Sequence, residues 1–194
     1  MKPTSEKMNA ASSDQAQGWH QVNWEAAYRS VRKTQLKIAQ ATKAGNWWRV
    51  FRLQRLLAHS FHGRCMAVKR VTENRGRKTP GVDGETWSSP TAKNNAVKRL
   101  SQKRGYRPKP LKRVWIPKPG KQEKRPLGIP TMLDRAMQAL YLQGLEPVIE
   151  STSDPKSYGF RPDRSTADAM VELFALLSRQ DSPQWIMEGD IKGF

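Results

Sequence analysis

The chain has 194 residues, 37% of them hydrophobic, and carries 35 Lys and Arg against 17 Asp and Glu, a net charge of +18. That length holds one large domain or two small ones, and so large a positive excess predicts a polyanion that offsets the self-repulsion of the folded state. Cys65 is the single cysteine, which excludes an intrachain disulfide and a Cys-based zinc site. No stretch approaches the roughly 20 apolar residues of a membrane span, and the polar N-terminus has no apolar signal-peptide core. The chain is therefore expected to be soluble and cytoplasmic, with no membrane partner.

Charge is unevenly placed. Ala26 to Thr72 holds eleven Lys or Arg and no acid, and Lys98 to Arg125 holds twelve against Glu123 alone. From Glu146 onward the balance reverses, with nine acids against five cations, net −4. The first two thirds read as a polyanion-binding surface, the last third as something else.

In chain order, residues 1–18 are polar and aperiodic and predict a disordered tail. Trp24, Tyr28, Val31, Gln35, Ile38 and Thr42 recur at helical spacing, and Gly45 closes that helix. Asn46 caps a second helix with a stripe of Trp47, Val50, Gln54, Leu57 and Phe61. A third runs from about Ser60 to Glu73. Thr79 to Gly84 is dense in turn residues and predicts a tight loop, and Pro90 opens a fourth helix bearing Ala92, Ala96, Val97 and Leu100, stopped at Gly105. Leu111 to Ile116 and Lys124 to Ile129 predict an antiparallel hairpin turning at Pro119-Gly120. Thr131 caps a helix expected to end at Pro147. Ser157 to Pro162 is a loop. Ser165 with Asp168 caps a helix carrying Met170, Leu173, Phe174 and Leu177. Gln184 to Ile191 predicts a last strand ending in Asp190. The class is α+β.

Three segments could carry chemistry. In the hairpin, Lys118 on one arm and Arg125 on the other can hold a triphosphate between a point charge and a planar fork. In Ser157-Tyr-Gly-Phe-Arg161, Gly159 allows close backbone approach, the aromatics can stack and Arg161 can meet phosphate. Asp190, beside Gly189, can ligate Mg²⁺ through hard carboxylate oxygens, although one aspartate does not hold two metals. Each has a plain counterpart: an exposed charged hairpin, an ordinary loop with one buried aromatic, a solvated acid. His20, His59 and His62 lack metal-ligand spacing, and Gly120-Lys121 lacks a P-loop frame. Of the adjacent pair Trp47-Trp48, one ring is expected in the core and the other against a partner.

The order of these segments is more specific than any one of them. The succession Val114-Trp-Ile-Pro-Lys118, Arg125-Pro-Leu-Gly-Ile-Pro-Thr-Met-Leu-Asp-Arg-Ala-Met-Gln138, Leu145-Glu-Pro147, Ser157-Tyr-Gly-Phe-Arg-Pro162 and Glu188-Gly-Asp-Ile-Lys-Gly-Phe194 resembles the group II intron-encoded reverse transcriptase and maturase family. Ala67 to Gly76 and Thr79-Pro-Gly-Val-Asp-Gly84 look like that family's opening block, and Trp24 to Ser60 is similar to the helical extension ahead of it. The resemblance spans about residues 19–194.

The resemblance implies reverse transcriptase fingers with a partial palm after a helical extension: a tail over 1–18, the extension over 19–75, and fingers with the start of the palm over 76–194. It implies that Lys118 and Arg125 clamp the phosphates of a dNTP, and that Thr79, Gly81, Asp83, Gly84, Ser157, Tyr158, Gly159 and Arg161 lie against template RNA. It further implies that Asp190 is a catalytic metal-binding aspartate, with the Ile191 carbonyl as a backbone ligand of a two-Mg²⁺ site. Expected partners are intron RNA, an RNA template with its DNA primer, and dNTP. The implied activity is RNA-directed DNA polymerisation with a maturase role in splicing and retrohoming. Two alternatives stand beside it: an RNA-binding splicing module without polymerase activity, and a domesticated phage-defence reverse transcriptase.

The chain departs from the family in two ways. The turn after Lys118 is one residue longer, so either Lys118 or Lys121 reaches the phosphates. No Asp-Asp pair occurs, so the second group of metal carboxylates is expected outside this sequence, leaving the chain alone incomplete and inactive. The unfinished sheet is expected to favour self-association.

Overall fold

The computed structural model describes residues 18–101, 105–120 and 122–191, so expectations for the N-terminal tail, Lys121 and 192–194 lie outside it. The chain divides into two compact units, Met1–Thr152 and Ser153–Phe194.

In the first unit, side-chain caps set most helix starts. The Asn23 side chain accepts from the Ala26 N–H at 2.9 Å and opens α1 (Trp24–Lys43). Asn46 accepts from the Arg49 N–H at 3.0 Å and opens α2 (Trp47–His59), and Ser60 accepts from the Gly63 N–H at 2.9 Å and opens α3 (Phe61–Glu73). Each cap satisfies a donor that the first helical turn leaves orphaned. A 3₁₀ turn (Arg75–Lys78) leads into the 79–84 loop, and α4 (Pro90–Arg99) starts with Ser89 as cap and Pro90 in its first turn. The expected helix starts hold, but α2 ends at His59, before Phe61, α4 ends at Arg99, short of the expected stop at Gly105, and burial is narrower than the apolar stripes suggest. Ala27, Val31, Ile38 and Ala41 are buried on α1 and Val50 and Leu57 on α2, while Tyr28, Trp47 and Phe61 are exposed. Close helix packing takes the small Ala27 and leaves the neighbouring ring outside.

β1 (Lys112–Pro117) and β2 (Lys124–Ile129) form the one sheet among the described residues, antiparallel, with Lys112 opposite Ile129 and Pro117 opposite Lys124. The Lys118 N–H donates to the Glu123 carbonyl at 2.9 Å, which makes that pair a hydrogen-bonded one. Alternation then puts Pro117–Lys124 and Trp115–Pro126 at non-hydrogen-bonded positions, so neither proline removes a ladder bond.

α5 (Met132–Thr152) is the central helix, packed against α1, α2 and α3. It does not end at Pro147 as expected but runs through it. Pro147 has no N–H to give the Gln143 carbonyl, and that carbonyl accepts instead from Gln35 Nε2 of α1 at 3.0 Å. The next carbonyl, Gly144, accepts from Gln54 Nε2 of α2 at 2.9 Å. Gln143 in turn reaches the Gly63 carbonyl at 3.0 Å. Two polar residues inside apolar stripes are thus explained: Gln35 and Gln54 dock on backbone acceptors at the proline break. Around them lie two apolar clusters, one of Val31, Ile38, Ala41, Val50 and Leu57, the other built on Val68, Trp87, Leu100, Met132 and Leu140.

In the second unit, α6 (Thr166–Leu177) is opened by the expected capping box, Ser165 with Asp168. The Ser165 hydroxyl and N–H, both on Asp168, hold that carboxyl below its ordinary pKa. None of the α6 residues is buried. The strand expected over 184–191 is not formed: this stretch is irregular and exposed. A strand is completed by its neighbour's hydrogen bonds, and no neighbour pairs with it among the described residues. The open sheet edge expected to drive self-association is therefore not formed there either.

Candidate nucleic-acid interface

Side chains alternate across the pleat, so Val114, Ile116 and Lys118 share one face of the ribbon with Leu127, Arg125 and Glu123. Lys118 and Arg125 are thereby brought to the same face, on diagonal positions. Lys118 Nζ pairs with Glu123 Oε2 at 3.2 Å, both side chains exposed. An exposed pair of this kind is worth about 0–1 kcal/mol, little obstacle to exchange for a phosphate. Arg125 is exposed and has no ion-pair partner among the described residues.

The turn-rich 79–84 loop is fastened to the base of this ribbon. Gly81 lies so close to the β2–α5 junction that a Cβ would sit 2.7 Å from Thr131 Cα and 2.8 Å from its nitrogen. Gly84 takes φ +69°, which favours glycine. Asp83 accepts from the Glu85 N–H at 3.3 Å and pairs with Lys109 at 3.4 Å. Thr79 offers its carbonyl to Arg135.

Asp134 and Arg135, on the first turn of α5, organise the region, and sequence reasoning gave them no role. Arg135 donates through Nε to the Pro130 carbonyl and through Nη1 to the Gly76 carbonyl, each at 3.0 Å, and through Nη2 to Thr79. Burial lowers its pKa, against the raising pull of the Asp83 charge. Asp134, only 5% exposed, accepts from Thr131 Oγ1 at 2.6 Å, from the Lys109 N–H at 3.3 Å and from the Tyr106 hydroxyl. Desolvation pushes its carboxyl upward, but these hydrogen bonds outweigh it and hold the pKa below the ordinary value. Tyr106 is raised, by burial and then by the same carboxylate. The signal available was Thr131 three residues before Asp134 at a helix start, a capping spacing that brings a carboxylate back to the junction.

In the second unit, the 157–162 loop is braced by its own arginines. Arg161 Nη1 donates to the carbonyls of Asp154 at 2.7 Å and Ser157 at 3.1 Å, Arg164 donates to Pro155, and the Arg164 guanidinium lies 5.5 Å from the Tyr158 ring centre. Gly159 has open space where a Cβ would stand. Phe160 is fully exposed at φ 58°, so it is not the buried aromatic of an ordinary loop. Arg161 thus shapes the loop as well as presenting charge.

Asp190 Oδ1 accepts from the Ile191 N–H at 2.8 Å in an exposed segment. Among the described residues no three His, Cys, Asp or Glu gather as a metal site. Reverse transcriptases in general use Mg²⁺, but this donor set is a single carboxylate and does not form a two-metal site.

On the basic helices, Trp47 and Trp48 are both exposed, contrary to the expected division between core and surface, and the Arg52 guanidinium lies 4.6 Å from the Trp48 ring centre. No helix among the described residues is long and apolar enough to cross a membrane.

A basic helical bundle holding a turn-rich loop against a cationic ribbon is the architecture of reverse transcriptase fingers. The profile for the N-terminal domain of reverse transcriptase matches residues 19–100, and the profile for reverse transcriptase (RNA-dependent DNA polymerase) matches 116–194. Protein YkfC of Escherichia coli K12 is 32% identical over 84% of this chain and 44% of its own length. Group II intron-encoded protein LtrA of Lactococcus lactis is 34% identical over 66% of this chain and 21% of its own. The chain spans less than half the length of these relatives. It belongs to the group II intron-type reverse transcriptase and maturase family.

Proposed function

We propose that this chain supplies the template- and nucleotide-facing part of an RNA-directed DNA polymerase that also serves intron RNA in splicing and retrohoming. The observation that carries the reading is the ribbon face shared by Lys118 and Arg125, rooted at the junction where Arg135 and Gly81 hold the 79–84 loop. On that face a planar guanidinium and a loosely paired ammonium stand where the phosphates of a dNTP would meet two cations. The loop, with Thr79, Gly81, Asp83 and Gly84, and the 157–161 segment are the proposed template contacts. Residues 19–75 act as the extension and 76–194 as fingers and start of the palm. Asp190 and the Ile191 carbonyl are proposed as one part of a Mg²⁺ site whose other carboxylates this sequence does not supply.

The test is Arg125→Ala in a polymerase-competent protein carrying this chain. Loss of a charge-assisted hydrogen bond costs about 1.5–3 kcal/mol, so KM for dNTP should rise roughly 10- to 150-fold with RNA affinity little changed. Unchanged dNTP kinetics with collapsed RNA binding would refute the clamp.

A second reading, an RNA-binding splicing module, is favoured by Trp47 and Trp48 standing exposed among cations that no acid interrupts from 26 to 72. Aromatic faces beside arginines suit unpaired bases. Splicing that survives Asp190→Ala while primer extension is lost would show both roles in one protein.

A further inference from the structure

We propose that a cavity between the 3₁₀ turn, the 86–88 segment and α4 is a phosphate-binding site, separate from the ribbon. It has a volume of about 390 Å³ and is lined by Arg77, Lys78, Lys93, Thr86, Ser88 and the Trp87 ring. Three cations face it and no acid does. None of the three has an ion-pair partner among the described residues; Lys93 Nζ lies 5.4 Å from the Trp19 ring centre. Glu85, next to Thr86 in sequence, does not line it and is already engaged: its Oε1 accepts from Trp87 Nε1 at 2.7 Å and pairs with Arg99. Glu73, at the end of α3, is paired with Lys69 at 3.3 Å. Like charges drawn together without a counter-charge repel, and an anion seated among them reverses that term.

The backbone that carries Arg77 and Lys78 is fixed beforehand. The Thr79 N–H closes the 3₁₀ turn on the Gly76 carbonyl at 3.0 Å, and Arg135 fixes the Gly76 and Thr79 carbonyls on either side of Arg77 and Lys78. Hydroxyls of Thr86 and Ser88 add neutral donors to a guanidinium and two ammoniums, a set suited to phosphate oxygens. The volume lies within the range of small-ligand sites and admits a phosphate with its sugar, but not a duplex. The ligand is a phosphate group, either in the backbone of a single strand or in the polyphosphate of a free nucleotide. This inference needs neither polymerisation nor Asp190.

The experiment is calorimetric titration of the purified 194-residue chain with inorganic tripolyphosphate and, separately, with a short single-stranded RNA. R77Q/K78Q/K93Q is compared with R32Q/K33Q/K37Q on α1, which makes the same change in charge on exposed residues. The cavity variant is expected to lose at least tenfold in tripolyphosphate affinity and the α1 variant less than threefold. Ser88→Glu, which puts an acid at the cavity without removing a cation, is expected to lose as much as the cavity variant. A fall in RNA affinity beyond that of the α1 variant assigns the site to backbone phosphate; a fall confined to tripolyphosphate assigns it to free nucleotide. Equal loss in the two triple variants, or no loss in either, overturns the proposal.

Discussion

Replacing Asp134 by Asn tests whether the junction beneath the ribbon is held by charge. The carboxylate accepts from a threonine hydroxyl, a backbone N–H and a phenol while only 5% exposed. An amide of the same shape keeps one acceptor oxygen and turns an NH₂ toward a donor that needs an acceptor. Hydrogen bonds to a charged group are worth about 1.5–3 kcal/mol each, and roughly half of the set is lost, so the expected destabilisation is about 2–4 kcal/mol. For a unit of this size that lowers the thermal midpoint by about 10 °C. The pH dependence follows from the direction of the pKa shift. The folded carboxyl lies below its ordinary value of 3.8, so its contribution is complete above that value and is lost as pH falls through the folded pKa. Urea unfolding of both proteins at pH 7 and pH 3 is the assay, and the gap between them should narrow at the lower pH. A gap under 1 kcal/mol at pH 7, or one that does not narrow, would falsify the claim that the ionised carboxylate holds this junction.

Gly81→Ala should destabilise by about 1–3 kcal/mol, since its Cβ meets backbone rather than a movable side chain, and RNA affinity should fall with it. A variant with wild-type stability and RNA binding would show that the close approach is dispensable. Gln35→Ala should cost about 1–3 kcal/mol by stranding the Gln143 carbonyl. The same substitution in a Pro147→Ala background should cost much less, because residue 147 then supplies the missing N–H; additive costs in the double-mutant cycle would refute this. RNA binding should weaken steeply with salt, as expected for contacts that release condensed counterions, and a flat plot of log affinity against log salt counts against phosphate contacts. The purified 194-residue chain should extend no primer on poly(rA)/oligo(dT), and Mg²⁺-dependent extension abolished by Asp190→Ala would show that one family aspartate suffices.

Local chemistry was readable from the sequence, and context was not. Asn46, Ser60 and Ser165 mark helix starts because a cap is a contact within four residues, Pro90 marks another because its fixed φ suits a first turn, and the hairpin was legible because its two arms adjoin a glycine turn. Pro147 misled because its break is repaired by glutamines about 90 to 110 residues away in sequence, beyond any local rule. Residues 184–191 carry a short apolar run, Trp185 to Met187, that reads like a strand, but such a run records what a strand would bury and does not supply the neighbour it needs. At the candidate site, charged residues were visible as charges. What places them was not: Asp134 and Arg135 act through backbone carbonyls, an N–H and hydroxyls that no residue pattern displays.

The two glutamines on the proline break also fix how the bundle may vary in evolution. An apolar seam tolerates a helix sliding by a turn, but the Gln143 and Gly144 carbonyls are offered at one height along α5 only, so they act as a stop for α1 and α2. Related sequences that retain proline at 147 should retain at positions 35 and 54 a side chain long enough to bring an N–H to the break. Sequences that lose the proline should lose that constraint at 35 and 54 together, leaving a covariation between residues that share no local motif.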